Sequence, residues 1–135
     1  MIKRIDHVAI AVQALDGTIG FFSEKLGLPF SHIADEPEQN AQVAFFPIGG
    51  SEVELVYPTS EESGVAKWMA KRGEGLHHIC FEVDDLDAVL ARLKEQGVQL
   101  INQTPVTNSA GRRLAFVHPK AAHGVLIELY EEAKG

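Results

Sequence analysis

Cysteine, long apolar runs and positive charge are all scarce in this chain. Cys80 is its only cysteine among 135 residues, which excludes an internal disulfide and suits a reducing compartment. A lone thiol of this kind reads as a small buried hydrophobe rather than a nucleophile. No apolar stretch approaches the roughly 20 residues that a membrane-spanning helix requires, so no membrane partner is expected. Met1-Ile2-Lys3-Arg4 runs straight into a strand pattern instead of a signal sequence, and a cytoplasmic protein is the expectation. Lys and Arg number 12 against 19 Asp and Glu, a net charge of −7. That balance argues against a nucleic-acid partner, since a phosphate-binding surface needs a basic patch. Low-complexity tracts are missing too, and 45% hydrophobic with 23% charged residues describes an ordinary globular chain. Its length predicts one domain over 1–135.

What the chain does have is a repeat. Offset by 71 positions, Ile5 matches Leu76, His7 matches His78, Val8 matches Ile79, Val12 matches Val83, Leu15 matches Leu86 and Asp16 matches Asp87. Later in each half, Val53-Glu54-Leu55 finds a counterpart in Ile127-Glu128-Leu129. A helical pattern follows each His strand. The first spans about Asp16 to Leu26, with Ile19, Phe22 and Leu26 on one face, and stops at Gly27; the second starts near Asp85, carries Leu86, Val89, Leu90 and Leu93, and stops at Gly97. Strand-like runs then follow at Gln42 to Phe46 and Glu52 to Tyr57, and at Leu114 to His118 and Gly124 to Tyr130. Each half therefore reads as βαβββ, an α+β fold of two tandem modules at about 1–58 and 74–135. Thr59 and Glu62 form a capping-box signature before a connecting helix of about 60–72 that carries Val65, Trp68 and Met69. The aperiodic stretch Thr104 to Arg113 is expected to be a loop near the site.

The duplication yields two His and two Glu. Strand alternation puts His7 on a face with Ala9 and Ala11, and His78 on a face with Cys80, whereas His77 points the other way with Ile79, Phe81 and Val83. Parity thus selects His78 as the equivalent of His7. Glu54 and Glu128 each sit between apolar neighbours, where a carboxylate is costly to bury without a partner. A divalent metal is such a partner, and two imidazoles with two carboxylates make a suitable ligand set. Glu52 and Glu82 share the ligands' faces, where they could support the ligands, but a solvated rim is the expectation. His77 is expected to be partly buried; His32, His118 and His123 have no role that the repeat supports.

Taken together, Ile5-Asp6-His7-Val8-Ala9, Pro37-Glu38-Gln39, Pro58-Thr59-Ser60 with Val65-Ala66-Lys67-Trp68, Gly75-Leu76-His77-His78, Val83-Asp84-Asp85 and His118-Pro119-Lys120 leading to Gly124-Val125-Leu126-Ile127-Glu128-Leu129 resemble the vicinal oxygen chelate superfamily, also called the glyoxalase/bleomycin resistance superfamily. Within it they resemble the methylmalonyl-CoA epimerase family over almost the whole length. The resemblance implies a cupped mixed sheet of glyoxalase-like fold, with metal ligands at His7, Glu54, His78 and Glu128. Cobalt, manganese, nickel and zinc are the ions it leaves open. It implies epimerisation of an acyl-CoA substrate, (R)- and (S)-methylmalonyl-CoA, through an enolate, and a homodimer by superfamily analogy; because Glu54 and Glu128 come from different halves, we expect these two to move the proton from opposite sides, at least one of them loosening its metal bond. Arg112, Arg113 and Lys120 are the candidates for the CoA phosphates. Two departures stand out: some members carry Gln at the Glu54 position, and some carry a Glu proposed as a base where Gln42 or Val43 stands here. A glyoxalase I-type lactoylglutathione lyase and a metal-free binding or resistance protein of the same fold are the alternatives. A ring-cleaving dioxygenase fits less well, because its usual site has one carboxylate.

Overall fold

A computed structural model describes residues 1–132; the end of the second module as delimited above, 133–135, lies outside the described residues. The chain forms two compact units. One comprises His7–His77, and the other joins Met1–Asp6 to the chain from His78 onward. The division falls immediately before each repeated His.

In the N-terminal unit, β1 (Ile2–Ala11, of which the part from His7 belongs here) leads into α1 (Asp16–Gly20). The expected single helix to Leu26 is not what forms. From Phe21 to Lys25 the turns widen, with the Leu26 N–H donating to the carbonyl of Phe21, five residues back. Gly17 and Gly20 weaken the α-helix that precedes the change. Ile19 and Phe22 still face the core, but the wider turn rotates Leu26 off that face and leaves it 56% exposed. The module continues through β2 (His32–Glu36), β3 (Ala41–Ile48) and β4 (Ser51–Pro58), in the order β2-β3-β4-β1, with β1 and β4 parallel. Gly49 and Gly50 both adopt positive φ in the two-residue hairpin between β3 and β4.

The connecting helix, α2, runs Gly64–Arg72, and its cap is not the Thr59–Glu62 pair. Ser63 caps it: its Oγ accepts from the Val65 N–H at 3.1 Å and donates to the Gln39 carbonyl. Thr59 is used elsewhere, its N–H donating to the Asn40 carbonyl. Val65, Trp68 and Met69 of α2 pack on Ala9, Ala11, Val43 and Val56. On the opposite face of the same strands, Ile10, Val12, Ala44, Phe46 and Leu55 meet Ile19 and Phe22 of the first helix.

The C-terminal unit repeats the pattern with β5 (Gly75–Val83, here from His78), α3 (Leu86–Glu95), β6 (Val106–Thr107), β7 (Arg113–Val117) and β8 (Leu126–Glu131). The order is β5-β8-β7-β6, with β5 and β8 parallel. Asp85 caps α3 by accepting from the Ala88 N–H. Leu86 and Leu90 of α3 pack on Val83, Ala115, Val117 and Leu129. The other face holds Cys80, Leu114, Phe116 and Tyr130, and Cys80 is buried there as a small hydrophobe. Both units are βαβββ. No helix among the described residues is long and apolar enough to cross a membrane.

Candidate active site

Each unit holds one of the predicted His–Glu pairs. In the N-terminal unit, β1 and β4 run parallel with Ala9 opposite Glu54, so the carboxylate lies one side-chain row along from His7. His7 Nδ1 and Glu54 Oε2 are 3.3 Å apart, and both side chains are largely buried. In the C-terminal unit, β5 and β8 repeat the register with Cys80 opposite Glu128, and His78 Nε2 lies 3.1 Å from Glu128 Oε1. An imidazole nitrogen and a carboxylate oxygen at these separations need either a proton on the nitrogen or a cation shared between them.

His7 and His78 are the strand histidines that meet a glutamate in each unit. Ala9 and Ala11 are fully buried on the His7 face. His77 lies in the N-terminal unit, half-buried with its ring edge-on to Trp68 at 5.0 Å. Of Gln42 and Val43, Val43 lies on the Glu54 face: β3 pairs it with Val56, two residues along β4 from Glu54, and it is buried in the same cluster as Ala9 and Ala11. Gln42 points to the opposite face, where its Nε2 donates to Asp35 at 3.1 Å. The β3 position on the Glu54 face is therefore apolar.

Two aromatic residues escaped the sequence reading. Phe45 lies opposite Glu54 and Phe116 opposite Glu128, so each carboxylate has a phenylalanine on the neighbouring strand. Phe116 meets the His78 ring edge-on at 6.0 Å, while Phe45 is stacked by His32 at 4.7 Å. The signal was available, since Val43-Ala44-Phe45 and Leu114-Ala115-Phe116 obey the same 71-residue offset.

Glu82 corrects another expectation. It is not at a solvated rim but 7% exposed, with Lys3 Nζ at 3.1 Å, Arg4 at 3.0 Å and the Tyr130 hydroxyl at 3.1 Å. Two cations and a phenol supply what a buried carboxylate needs. Arg4 also pairs with Asp6 at 3.0 Å, and the Tyr130 hydroxyl contacts Asp6 at 3.0 Å. Lys3, with Arg4 and Tyr130 also contributing, holds the Glu82 carboxyl below its ordinary range; burial, with Asp6 and Glu82 nearby, pushes the Tyr130 phenol far above its own.

The proposed phosphate contacts are each engaged locally. Arg113 spends its guanidinium on Asp87, through two bonds of 3.0 and 2.9 Å, and on Glu131 at 2.8 Å. Arg112 lies over the Tyr130 ring, 4.9 Å from its centroid. Lys120 sits in the turn after β7, where its backbone N–H donates to His118 Nδ1, which gives His118 a turn-forming role. The expected loop from Thr104 contains the short strand β6 and a turn in which Asn108 Oδ1 accepts from the N–H groups of Ala110 and Arg112.

Comparison with known proteins gives this duplicated geometry a family. Residues 6–116 match the model of the glyoxalase/bleomycin resistance protein/dioxygenase superfamily. The chain is 37% identical over 131 residues to the ethylmalonyl-CoA/methylmalonyl-CoA epimerase of Cereibacter sphaeroides, covering 96% of this chain and 98% of that one. It is 35% identical over 127 residues to the human mitochondrial methylmalonyl-CoA epimerase, covering 93% of this chain and 72% of the relative. Among solved structures it superposes on a methylmalonyl-CoA epimerase in complex with methylmalonyl-CoA and an ammonium ion, with a TM-score of 0.88 and 40% identity over 98% of this chain and 96% of that one. With a family model over most of its length and relatives of this identity along nearly all of it, the chain belongs to the glyoxalase/bleomycin resistance protein/dioxygenase superfamily and, within it, to the methylmalonyl-CoA epimerase family.

Proposed function

We propose that this protein interconverts the (R) and (S) epimers of methylmalonyl-CoA, with His7, Glu54, His78 and Glu128 holding one divalent metal ion. The observation that carries the reading is the pair of buried His–Glu contacts in duplicated positions, 3.3 and 3.1 Å long. Two imidazoles and two carboxylates suit a divalent ion of borderline hardness, and such an ion offsets the cost of burying both carboxylates. When bound, it supplies Lewis-acid stabilisation of negative charge developing on the substrate's carbonyl oxygens.

The chain's own groups supply the proton transfer. One carboxylate, Glu128 in our reading, takes the proton from the carbon between the thioester and the carboxylate, and the C–H electron pair passes into the thioester carbonyl as an enolate. Glu54, released from its ligand role and protonated, returns a proton to the opposite face of that carbon, and exchange of both carboxyls with solvent restores the starting state. The net reaction inverts the centre and conserves every atom. With Val43 at the β3 position, Glu54 is the group of the N-terminal half assigned to this task. Arg112 and Lys120 are the proposed contacts for the CoA phosphates, and Arg113 joins them by exchanging a carboxylate partner. The single buried thiol supports a reducing, cytoplasmic setting, and superfamily analogy supports a homodimer.

The test is deuterium incorporation from D₂O into methylmalonyl-CoA with and without a chelator. Exchange at the substrate's α-carbon that stops on chelation and returns with added cobalt or manganese is the expected result. Turnover of a glutathione hemithioacetal instead would move the protein to lactoylglutathione lyase chemistry. Absence of both activities and of any bound metal would point to a binding protein.

A further inference from the structure

We propose that Tyr130 is a positioning residue for the metal ligands of the C-terminal unit: its hydroxyl, held by Glu82, locks the β5–β8 register that sets Glu128 against His78. The inference rests on the metal-binding reading above.

On β5, His78, Cys80 and Glu82 share one face; on β8, Glu128 and Tyr130 share the matching face, with Cys80 opposite Glu128 and Glu82 opposite Tyr130. The Tyr130–Glu82 hydrogen bond of 3.1 Å therefore joins directly paired residues, one side-chain row beyond the His78–Glu128 contact. A parallel ladder is held by backbone bonds that are indifferent to which residues pair. Slipping by one residue would turn Glu128 to the opposite face and separate it from His78. A side-chain bond between specific partners penalises that slip. The hydroxyl shares its one proton among Glu82, Asp6 at 3.0 Å, the residue before His7 in the chain, and Glu132 at 3.3 Å, and Arg4 bridges Asp6 and Glu82 so that both acceptors are held together.

Stability alone is a poor reason for such a network. Burying two carboxylates and a phenol costs free energy that their pairing only offsets, and a well-packed apolar cluster would do as well. Fixing a register is the better-supported use of a buried polar network. Cys80, Leu114 and Phe116 form an apolar cluster with the Tyr130 ring, so the hydroxyl belongs to the support of the site and not to its reacting groups. Groups hydrogen-bonded to metal ligands typically matter 10–100-fold in metal affinity or activity, and a register lock one row away is expected at the low end of that range.

The test compares Tyr130→Phe, which keeps the ring, its packing and its place under Arg112, with the unaltered protein. Cobalt affinity by calorimetry and the cobalt visible spectrum are measured beside thermal unfolding, kcat and KM. The expected result is cobalt binding weaker by about tenfold or more, an altered cobalt spectrum, a lower kcat with KM little changed, and a metal-free protein that remains folded. The His78 imidazole nitrogen resonances of the metal-free variant should also shift. Glu82→Gln retains an acceptor for the hydroxyl and should bind cobalt more tightly than Glu82→Ala. Unchanged cobalt affinity, spectrum and His78 resonances in Tyr130→Phe would overturn the proposal while leaving the metal reading intact. Failure of the unaltered protein to bind cobalt would overturn both.

Discussion

The two halves of this chain carry the same His–Glu contact on different supports. In the N-terminal half, the face beyond His7 and Glu54 is apolar: Ala9, Ala11, Val43 and Val56 lie under Val65, Trp68 and Met69. In the C-terminal half, the corresponding space beyond His78 and Glu128 leads through Cys80, Leu114 and Phe116 to the polar cluster of Tyr130, Glu82, Asp6, Arg4 and Lys3. Duplication has preserved the His–Glu pairs and the strand register that delivers them. It has not preserved what lies behind them, so one half is positioned by packing and the other by directed hydrogen bonds.

The sharpest way to break this comparison is at the carboxylates. Glu128→Gln should lower kcat by about 10²–10⁴, the range for losing one general acid or base, and Glu54→Gln should cost less, in keeping with the relatives that carry Gln there. Steady-state kinetics with metal content measured on each variant checks this. Equal, small losses in both would remove the proton-transfer roles.

Core truncations come next. Phe46→Ala in the N-terminal half should cost about 3–5 kcal/mol and Leu90→Ala in the C-terminal half about 2–5 kcal/mol, since both residues are essentially fully buried. Urea unfolding followed by circular dichroism gives both values.

Acid sharpens the contrast, because Glu82, a carboxylate held below its ordinary range, belongs to the polar half. Its folded-state pKa is depressed, so its stabilisation is present above the ordinary value of about 4.5 and is lost as pH falls through the lower folded value. Tyr130 behaves in the opposite sense at the alkaline end. Its phenol keeps its proton in the fold while the unfolded chain releases one above about pH 10, so stability should fall there. The stability difference between the unaltered protein and Glu82→Gln should therefore be level near neutrality and shrink below about pH 4.5. A difference that is flat down to pH 3 would contradict the assigned ion pairs. The smallest expected effect is in the apolar half, where Ser63→Ala removes the α2 cap and should cost about 1 kcal/mol, read as a shift in the urea midpoint.

The repeat made most of this architecture legible. Its 71-residue offset located both His strands, parity separated His78 from His77, and glycines marked where both helices stop. Local signals misled where a stronger partner lay elsewhere. Thr59 and Glu62 have the spacing of a helix cap, but Ser63 has the right position, and its hydroxyl also reaches the Gln39 carbonyl from the neighbouring turn. Glu82 looked like a rim residue because its cations, Lys3 and Arg4, lie 79 and 78 positions away in the chain. The widened turn at Phe21 depends on backbone hydrogen bonding that side-chain periodicity does not encode. The strands β2 and β6 are short edge strands, one with Asp35 and Glu36 in its five residues and the other only two residues long, and neither offers the alternation that marks a buried strand.

The central claim, that one His–Glu pair from each half serves a single ion, is tested most directly by metal stoichiometry. Calorimetric titration with cobalt should give one ion per chain for the unaltered protein and greatly weakened binding in both His7→Ala and His78→Ala. Two ions per chain, with one retained after either substitution, would mean that each half binds its own metal and would contradict the account.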